Sequence, residues 1–208
     1  MYLIKTDKTI ALANYSHIVS IGNKCATTIL LRNLNLYKES YPFDYVPTQP
    51  HLILKYIKDF TTFLPKQNNV RNIDEVWFGH YNVKENYEQT VQKFQRKIKR
   101  LYDALEKPNK ILLVYSTEAD VYNEMNSRYN DNYQSLIDLN EHLKLTFPAT
   151  CNIAAIHTNK TFEDTADIIN FTINVGDNHL SNNMETHVPK TYNLYRNTLK
   201  EVFKAIFK

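Results

Sequence analysis

The chain reads His-Ile-Val-Ser-Ile-Gly-Asn-Lys-Cys-Ala-Thr-Thr-Ile-Leu-Leu-Arg-Asn-Leu over residues 17–34. Residues 18–21 contain three β-branched apolar side chains, which is typical of a short buried strand. Gly22 interrupts this run, and apolar residues then recur at helical spacing over residues 29–34. The pattern predicts a strand, a tight turn and a helix in direct succession, with Cys25 in the first helical turn.

The predicted surroundings of Cys25 favour a reactive thiol. Asn23 is a preferred N-cap residue, so we expect Lys24 and Cys25 to be the first two helical residues. The unpaired N–H groups and the positive end of the helix dipole then lie near the sulfur. Thiols in such surroundings are more acidic than free thiols, which indicates a nucleophilic cysteine. The alternative is that Cys25 is a small buried apolar residue at a packed helix start.

Glycine is scarce in this chain, and two of the three glycines lie next to candidate catalytic residues. Gly22 precedes Cys25 by three positions, and Gly79 immediately precedes His80. Histidine is the commonest proton-transfer group near neutral pH, so His80, which follows a glycine, is one candidate general base. His157, at the end of a later predicted strand, is the alternative base.

A third candidate, Asp44, lies in the segment Ser-Tyr-Pro-Phe-Asp-Tyr-Val-Pro of residues 40–47. This segment is predicted to be extended and stiff, because a residue that precedes proline avoids the helical region. Asp44 is then interpreted as a group that orients a histidine or the start of the Cys25 helix. The alternative is a carboxylate that caps a turn while its aromatic neighbours pack.

Four short motifs together resemble a known pattern: Ser20-Ile-Gly-Asn-Lys-Cys25, Leu31-Arg32, Tyr41-Pro-Phe-Asp44 and Phe78-Gly-His80. They are similar to the Ser-Leu-Gly-x-x-Cys, Leu-Lys/Arg, Ser-x-Pro-Phe-Asp-Trp and Phe-x-His motifs of a family of papain-like cysteine peptidases of bacteria and large DNA viruses. The chain departs from that pattern at Tyr45, where the family has tryptophan. The resemblance covers residues 17–64 well and the later residues thinly. It implies a cysteine nucleophile and a histidine base.

These observations predict a cysteine hydrolase or acyl-transfer enzyme that acts on a peptide, protein or acyl substrate. Cys25 attacks a carbonyl carbon, His80 accepts and returns the proton, and Asp44 or Asn82 orients the imidazole ring. Ser20 and Asn23 are assigned to binding, with the Asn23 amide beside the oxyanion. The alternative is a catalytically inactive viral or bacterial effector that binds a partner protein.

The rest of the chain alternates predicted helices and strands. The predicted helices cover residues 52–64, 86–107, 132–147 and 191–207, and the predicted strands cover residues 111–115, 151–157 and 168–175, the last of them at a sheet edge. Residues 76–82 are predicted to form a short strand or a buried loop that presents His80. This order predicts an α/β fold, with a mostly parallel or mixed sheet between helices, in a single domain over residues 1–208. A papain-like α+β arrangement is the alternative.

One predicted helix carries a run of basic residues, Lys93, Arg96, Lys97, Lys99 and Arg100. A nucleic-acid stripe is the functional interpretation, but no aromatic residues interleave with these charges to stack on bases. We therefore interpret the run as a solvated helix face and expect no specific nucleic-acid binding. The net charge of the whole chain, only +3, agrees with this interpretation.

Several other classes are disfavoured by composition. Two cysteines in 208 residues do not suggest a disulfide framework, and no run approaches the roughly 18 apolar residues of a membrane span. The apolar run in the first residues is too short for a signal peptide, so we expect a cytoplasmic protein. Residues 116–118 lack a glycine-rich phosphate loop, and the spacing of Asp177, His179 and His187 matches no metal pattern. We therefore expect neither a cofactor nor a metal.

Overall fold

The structure, a computed structural model, describes residues 2–3, 7–22, 25–117, 133–174 and 197–208. Its strands are β1 (Tyr2–Leu3), β2 (His17–Ser20), β3 (Lys110–Ser116), β4 (Thr150–Thr158) and β5 (Ile168–Asn174). They form one sheet in the order β1-β5-β4-β3-β2. Strands β2 to β5 are parallel, and the two-residue β1 pairs antiparallel with β5.

The sheet is buried on both faces, as its sequence requires. Residues 111–116 of β3 are all buried, which is typical of a parallel strand covered on both sides. Side chains alternate across the sheet, so Leu113 and Tyr115 point to one core cluster whereas Leu112 and Val114 point to another. Each face therefore needs its own layer of helices.

Five helices lie in the described residues: α1 (Ala26–Asn33), α2 (Pro50–Lys58), α3 (Tyr87–Leu105), α4 (Tyr133–Thr146) and α5 (residues 197–206). Helices α1 and α5 pack on one face of the sheet, and α2, α3 and α4 pack on the other. The predicted α/β class is thus confirmed, with a mostly parallel sheet between helices rather than the α+β alternative.

Two predicted elements need correction, and a third takes one of its two predicted forms. The helix predicted over residues 52–64 ends at Lys58, because Asp59 is extended and accepts the Thr61 N–H to start a separate 3₁₀ turn. Residues 76–82 form a loop rather than a strand, with a single bridge between Arg71 and Trp77, and this loop is only partly buried. The predicted edge strand, β5, lies one place inside the edge, because β1 pairs with it.

Buried Asn72 organises the loop that leads to residues 76–82. Its Oδ1 accepts the N–H groups of Asp74 and Val76, both at 3.0 Å, and its Nδ2 donates to the carbonyl of Phe63 and the hydroxyl of Tyr56, both at 2.9 Å. A single side chain therefore provides hydrogen-bond partners for main-chain groups before and after it in the sequence. This network fixes the direction in which the chain enters the His80 segment.

Two further features concern the helices and the cysteines of the described residues. None of the helices there has both the length and the apolar composition that a bilayer crossing requires. Cys25 and Cys151 form no disulfide, and they differ in environment: Cys25 is partly exposed, whereas Cys151 is buried in β4.

Candidate active site

Cys25 lies at the junction between β2 and α1. It is the N-cap residue of α1, with φ −64° and ψ −16°. The helix begins at Ala26, two residues later than predicted, and Asn23 and Lys24 lie outside the described residues. Because Cys25 follows the carboxyl end of a parallel strand, it lies at the edge where open α/β sheets bind their ligands.

Two buried hydroxyl pairs hold the first turn of α1 against the sheet. Thr27 Oγ1 lies 2.6 Å from Ser116 Oγ at the end of β3, and Thr28 Oγ1 donates to Ser20 Oγ at 3.0 Å. These contacts hold the first turn of α1 against β2 and β3, and Ser20, which we predicted to bind ligand, is itself buried. Two successive β-branched threonines in a first helical turn were the sequence signal for them, since such residues gain little from helix propensity.

Asp44 is fully buried in the turn that follows Tyr41. Its Oδ2 accepts the Tyr37 hydroxyl at 2.7 Å and the Tyr41 main-chain N–H at 2.6 Å, whereas its Oδ1 has no hydrogen-bond partner among the described residues. Burial raises the pKa of Asp44 to about 6, and the positive charge of Lys97 is the largest influence in the opposite direction. The carboxylate thus caps a turn, as the alternative interpretation of Asp44 proposed.

Lys97 corrects the prediction of a wholly solvated basic face on α3. It is only 3% exposed, because its position on the helix falls between Phe94 and Leu101 on the buried face. Its ammonium group donates to the Tyr81 hydroxyl at 2.8 Å. Burial lowers the pKa of Lys97 to about 8, and the negative charge of Asp44 opposes that shift. Lys97 and Asp44 therefore stabilise each other's charged forms inside the protein.

His80 lies in the exposed loop before α3, against two aromatic side chains. Its ring packs edge-on to Tyr45 and Trp77, with centroid distances of 5.9 and 5.5 Å. The next residue, Tyr81, donates its hydroxyl to the main-chain oxygen of Asp44 at 2.8 Å. The structure thus brings the His80 and Asp44 segments together.

Arg32 connects α1 to Tyr45, which packs against the His80 ring. Its guanidinium group donates to the Tyr45 hydroxyl at 2.8 Å. Tyr45 has a φ of 60°, a conformation that costs a bulky residue about 1–3 kcal/mol and that is concentrated at functional sites. Cys25 and Arg32 are two helical turns apart on one face of α1, roughly 10 Å along the axis. Helix α1 therefore links Cys25 to the segment that holds His80, while direct contact between Cys25 and His80 stays a prediction.

Two other candidate residues have different surroundings from those predicted. Asn82, expected to orient the His80 imidazole, is exposed and donates to Glu85. His157, the alternative base, is 0% exposed, and its Nε2 lies 2.9 Å from Asn170 Oδ1. Its ring lies 4.7 Å from that of Phe162. We therefore assign His157 to the core rather than to catalysis.

Within the described residues, no group of three or more histidine, cysteine, aspartate or glutamate side chains has the arrangement of a metal site. The loop with Asp177, His179 and His187 lies outside the described residues.

Comparison with known proteins supports the resemblance noted from the motifs. A family model described as "putative papain-like cysteine peptidase" matches residues 16–73. The matched stretch runs from β2 to the loop around Asn72 and contains Cys25 and Asp44, whereas His80 lies beyond it. Searches of curated proteins and of solved structures gave no match. The chain is therefore similar to this peptidase family over that stretch.

The buried carboxyl of Asp44 predicts an unusual dependence of stability on pH. Its pKa in the folded protein, about 6, exceeds the unfolded value of 3.8, so the folded state holds the proton more tightly. The resulting stabilisation is complete below about pH 4 and is lost as the pH rises through 6. Urea denaturation across this range should show this loss, and the Asp44→Asn variant should show a flatter curve.

Asp59→Asn provides the matched control for this experiment. Asp59 is exposed, and hydrogen bonds from Thr61 lower its pKa, so its contribution to stability has the opposite sign. Asp59→Asn should leave the loss of stability towards pH 6 in place. An Asp44→Asn curve parallel to that of the wild type would contradict the assignment.

Proposed function

We propose that the protein is a cysteine hydrolase or acyltransferase that forms a thioester on Cys25. The observation that carries this proposal is the partly exposed thiol at the N-cap of α1, immediately beyond the carboxyl end of a parallel strand. A strand, a sharp turn, a nucleophile and a helix are also the parts of the nucleophile elbow of α/β hydrolases. The similarity to a peptidase family over residues 16–73 supports a peptide or protein substrate.

The proposed reaction has two steps. The Cys25 thiolate attacks the substrate carbonyl carbon, and the bond to the leaving group breaks as that group takes a proton from the His80 imidazolium. Water, or another acceptor that gives its proton to His80, then attacks the thioester and releases the Cys25 thiolate. N–H groups at the start of α1 have no partner within the helix and stabilise the oxyanion, to which the Asn23 amide also contributes.

In this proposal, Asp44 orients His80 indirectly. Its main-chain oxygen accepts the Tyr81 hydroxyl, and its neighbour Tyr45 packs against the His80 ring. Lys97, which donates to the same Tyr81 hydroxyl, supports this arrangement from α3. These are positioning roles, since the Asp44 carboxylate bonds to Tyr37 and the Tyr41 main chain.

Thiol reactivity tests the proposal. We expect iodoacetamide to modify Cys25 faster than it modifies glutathione added as a reference thiol, as measured by mass spectrometry. Cys151 is an internal control, because burial raises its pKa to about 12. Loss of a general base typically costs a hundredfold or more in turnover, so His80→Ala should slow Cys25 acylation by p-nitrophenyl acetate at least tenfold.

His51→Ala is the matched control, because His51 is an exposed histidine on α2. It should leave the acylation rate of Cys25 unchanged. A Cys25 that reacts no faster than glutathione, and equally in the wild type and in His80→Ala, would show that the thiol is not activated and would favour a partner-binding role.

A further inference from the structure

A cleft of about 530 Å³ lies beside α3, at the amino end of β2. One wall is formed by α3, and the other includes His17, the first residue of β2, and Glu39. Cys25 follows the opposite end of β2, so the cleft is separate from the proposed active site. Its volume falls within the range of about 300–1,000 Å³ that is usual for small-ligand sites.

Basic side chains dominate this cleft. Four of its lining residues are basic: Arg96, Lys99, Arg100 and Lys107. Three of them come from a single face of α3, since helical residues three and four apart are neighbours. The carboxylates of Glu39 and Asp103 leave a formal excess of two positive charges.

The two carboxylates are already engaged by neighbouring groups. Asp103 forms an ion pair with Lys99 at 2.7 Å. Glu39 accepts the Tyr41 hydroxyl at 3.1 Å and lies 3.6 Å from His17 Nδ1. The Asp103 charge is thus paired with Lys99, and the Glu39 carboxylate is hydrogen-bonded to Tyr41, before any ligand binds.

The remaining cations are available. Arg100 uses one guanidinium nitrogen to bind the carbonyl and hydroxyl oxygens of Ser40, which orients the group. Arg96 and Lys107 make no side-chain hydrogen bond or ion pair within the described residues, although both line the cleft. The cleft therefore presents one oriented guanidinium group and two cationic side chains that have no polar partner among the described residues.

We propose that this cleft binds a small phosphate-bearing ligand, with Arg96, Arg100 and Lys107 as its anchors. Guanidinium groups bind phosphate oxygens through two parallel hydrogen bonds, and a lysine adds a further point charge. A cleft of this volume, with α3 on one side and His17 and Glu39 on the other, fits a compact ligand better than an extended polymer. Binding here does not depend on the chemistry of Cys25.

Calorimetric titration with inorganic pyrophosphate at low ionic strength tests the proposal on the full chain. The wild type should bind pyrophosphate with one-to-one stoichiometry. The double variant Arg96→Gln/Lys107→Gln should bind at least about tenfold more weakly, because it loses charge-assisted hydrogen bonds. Since neither side chain has a described polar partner, thermal unfolding should be unchanged.

Lys66→Gln/Lys84→Gln removes the same number of charges from exposed loop positions outside the cleft. This control should bind pyrophosphate as the wild type does. If pyrophosphate binding is weakened equally in both double variants, or if the wild type does not bind pyrophosphate, the cleft is not a phosphate-binding site. A single-stranded oligonucleotide that binds more tightly than pyrophosphate through the same residues would overturn the ligand class.

Discussion

Replacing Lys97 by methionine is expected to destabilise the protein by about 3 kcal/mol at neutral pH. Methionine keeps much of the apolar volume of the side chain but removes the buried ammonium group and its hydrogen bond to Tyr81 at 2.8 Å. Asp44, fully buried, then loses the largest charge that stabilises its ionised form. Breaking one partner of a buried charge pair costs more than the pair contributes, because the other charge is left uncompensated.

The pH dependence of this loss distinguishes it from a simple packing defect. Without Lys97, the pKa of Asp44 rises further above 6, since the positive charge that lowers it is gone. At about pH 4.5 the Asp44 carboxyl is protonated in the folded state of both proteins, so the variant should differ less from the wild type. Urea denaturation at pH 4.5 and 7.5 measures both differences.

Lys93→Met is a matched control on the same helix. The ammonium groups of Lys93 and Lys97 lie 5.3 and 5.2 Å from the Tyr81 ring centroid, so both have the same cation–π contact. Lys93 is exposed, however, and such contacts contribute at most about 1 kcal/mol at exposed sites. Equal losses of stability in the two variants would show that the electrostatic interaction between buried Lys97 and Asp44 does not cause the destabilisation.

The burial of Lys97 also shows where sequence analysis succeeds and fails. The length and amphipathic character of α3 are local properties, and the predicted range of 86–107 is close to Tyr87–Leu105. Charge type suggested that all five basic residues are solvated. Helical spacing contained the better signal, because position 97 lies three residues after Phe94 and four before Leu101 on the apolar face.

Other errors arose from contacts between residues far apart in the sequence. The start of α1 depends on the pair formed by Thr27 and Ser116, and no local propensity contains that contact. The two residues of β1 form a strand only because β5 provides a partner. The loop with His80 has no periodicity, and its course depends on the buried side chain of Asn72. By contrast, β3, α4 and β4 follow from their apolar patterns alone.

The candidate site divides in the same way. The motif around Cys25 located the β2–α1 junction correctly. For Asp44, one of the two interpretations was a carboxylate that caps a turn while its aromatic neighbours pack. The Tyr81 hydroxyl and Arg32, which connect the His80 loop and α1 to the Asp44 segment, were missed. Tyrosine hydroxyls need a partner when half-buried, so the Tyr81 next to His80 was the available signal.

Replacing Gly22 by alanine is expected to destabilise the protein by about 2–3 kcal/mol and to displace Cys25. A Cβ atom at this position would lie 1.9 Å from Thr27 Oγ1 and 2.7 Å from Thr27 Cβ. Thr27 is 0% exposed and bonded to Ser116 at 2.6 Å, so it has no space into which to retreat. The first turn of α1 must therefore move, and the thiol at its N-cap moves with it.

Three measurements test this packing. Urea denaturation should show the loss of stability, and iodoacetamide should modify Cys25 at a changed rate while Cys151 remains unreactive. If Cys25 is the nucleophile, acylation by p-nitrophenyl acetate should slow by about a hundredfold, since a displacement of roughly 1 Å has that effect on a positioned group. A Gly22→Ala protein with wild-type stability and acylation rate would contradict the assigned packing.

Gly79→Ala is the informative comparison, because its added Cβ would lie even closer, 1.7 Å, to Trp77 Cζ2. Neither glycine adopts the left-handed φ that excludes alanine, so the two variants differ in the side chain that the new methyl group meets. Trp77 is 40% exposed and its ring can turn into solvent, so Gly79→Ala should cost less than about 1 kcal/mol. We therefore expect the variant with the shorter contact, Gly79→Ala, to lose less stability than Gly22→Ala. This order would show that the rigidity of the Cys25 turn, and not the degree of steric overlap, determines the loss. The reverse order would place the rigid element in the His80 loop instead.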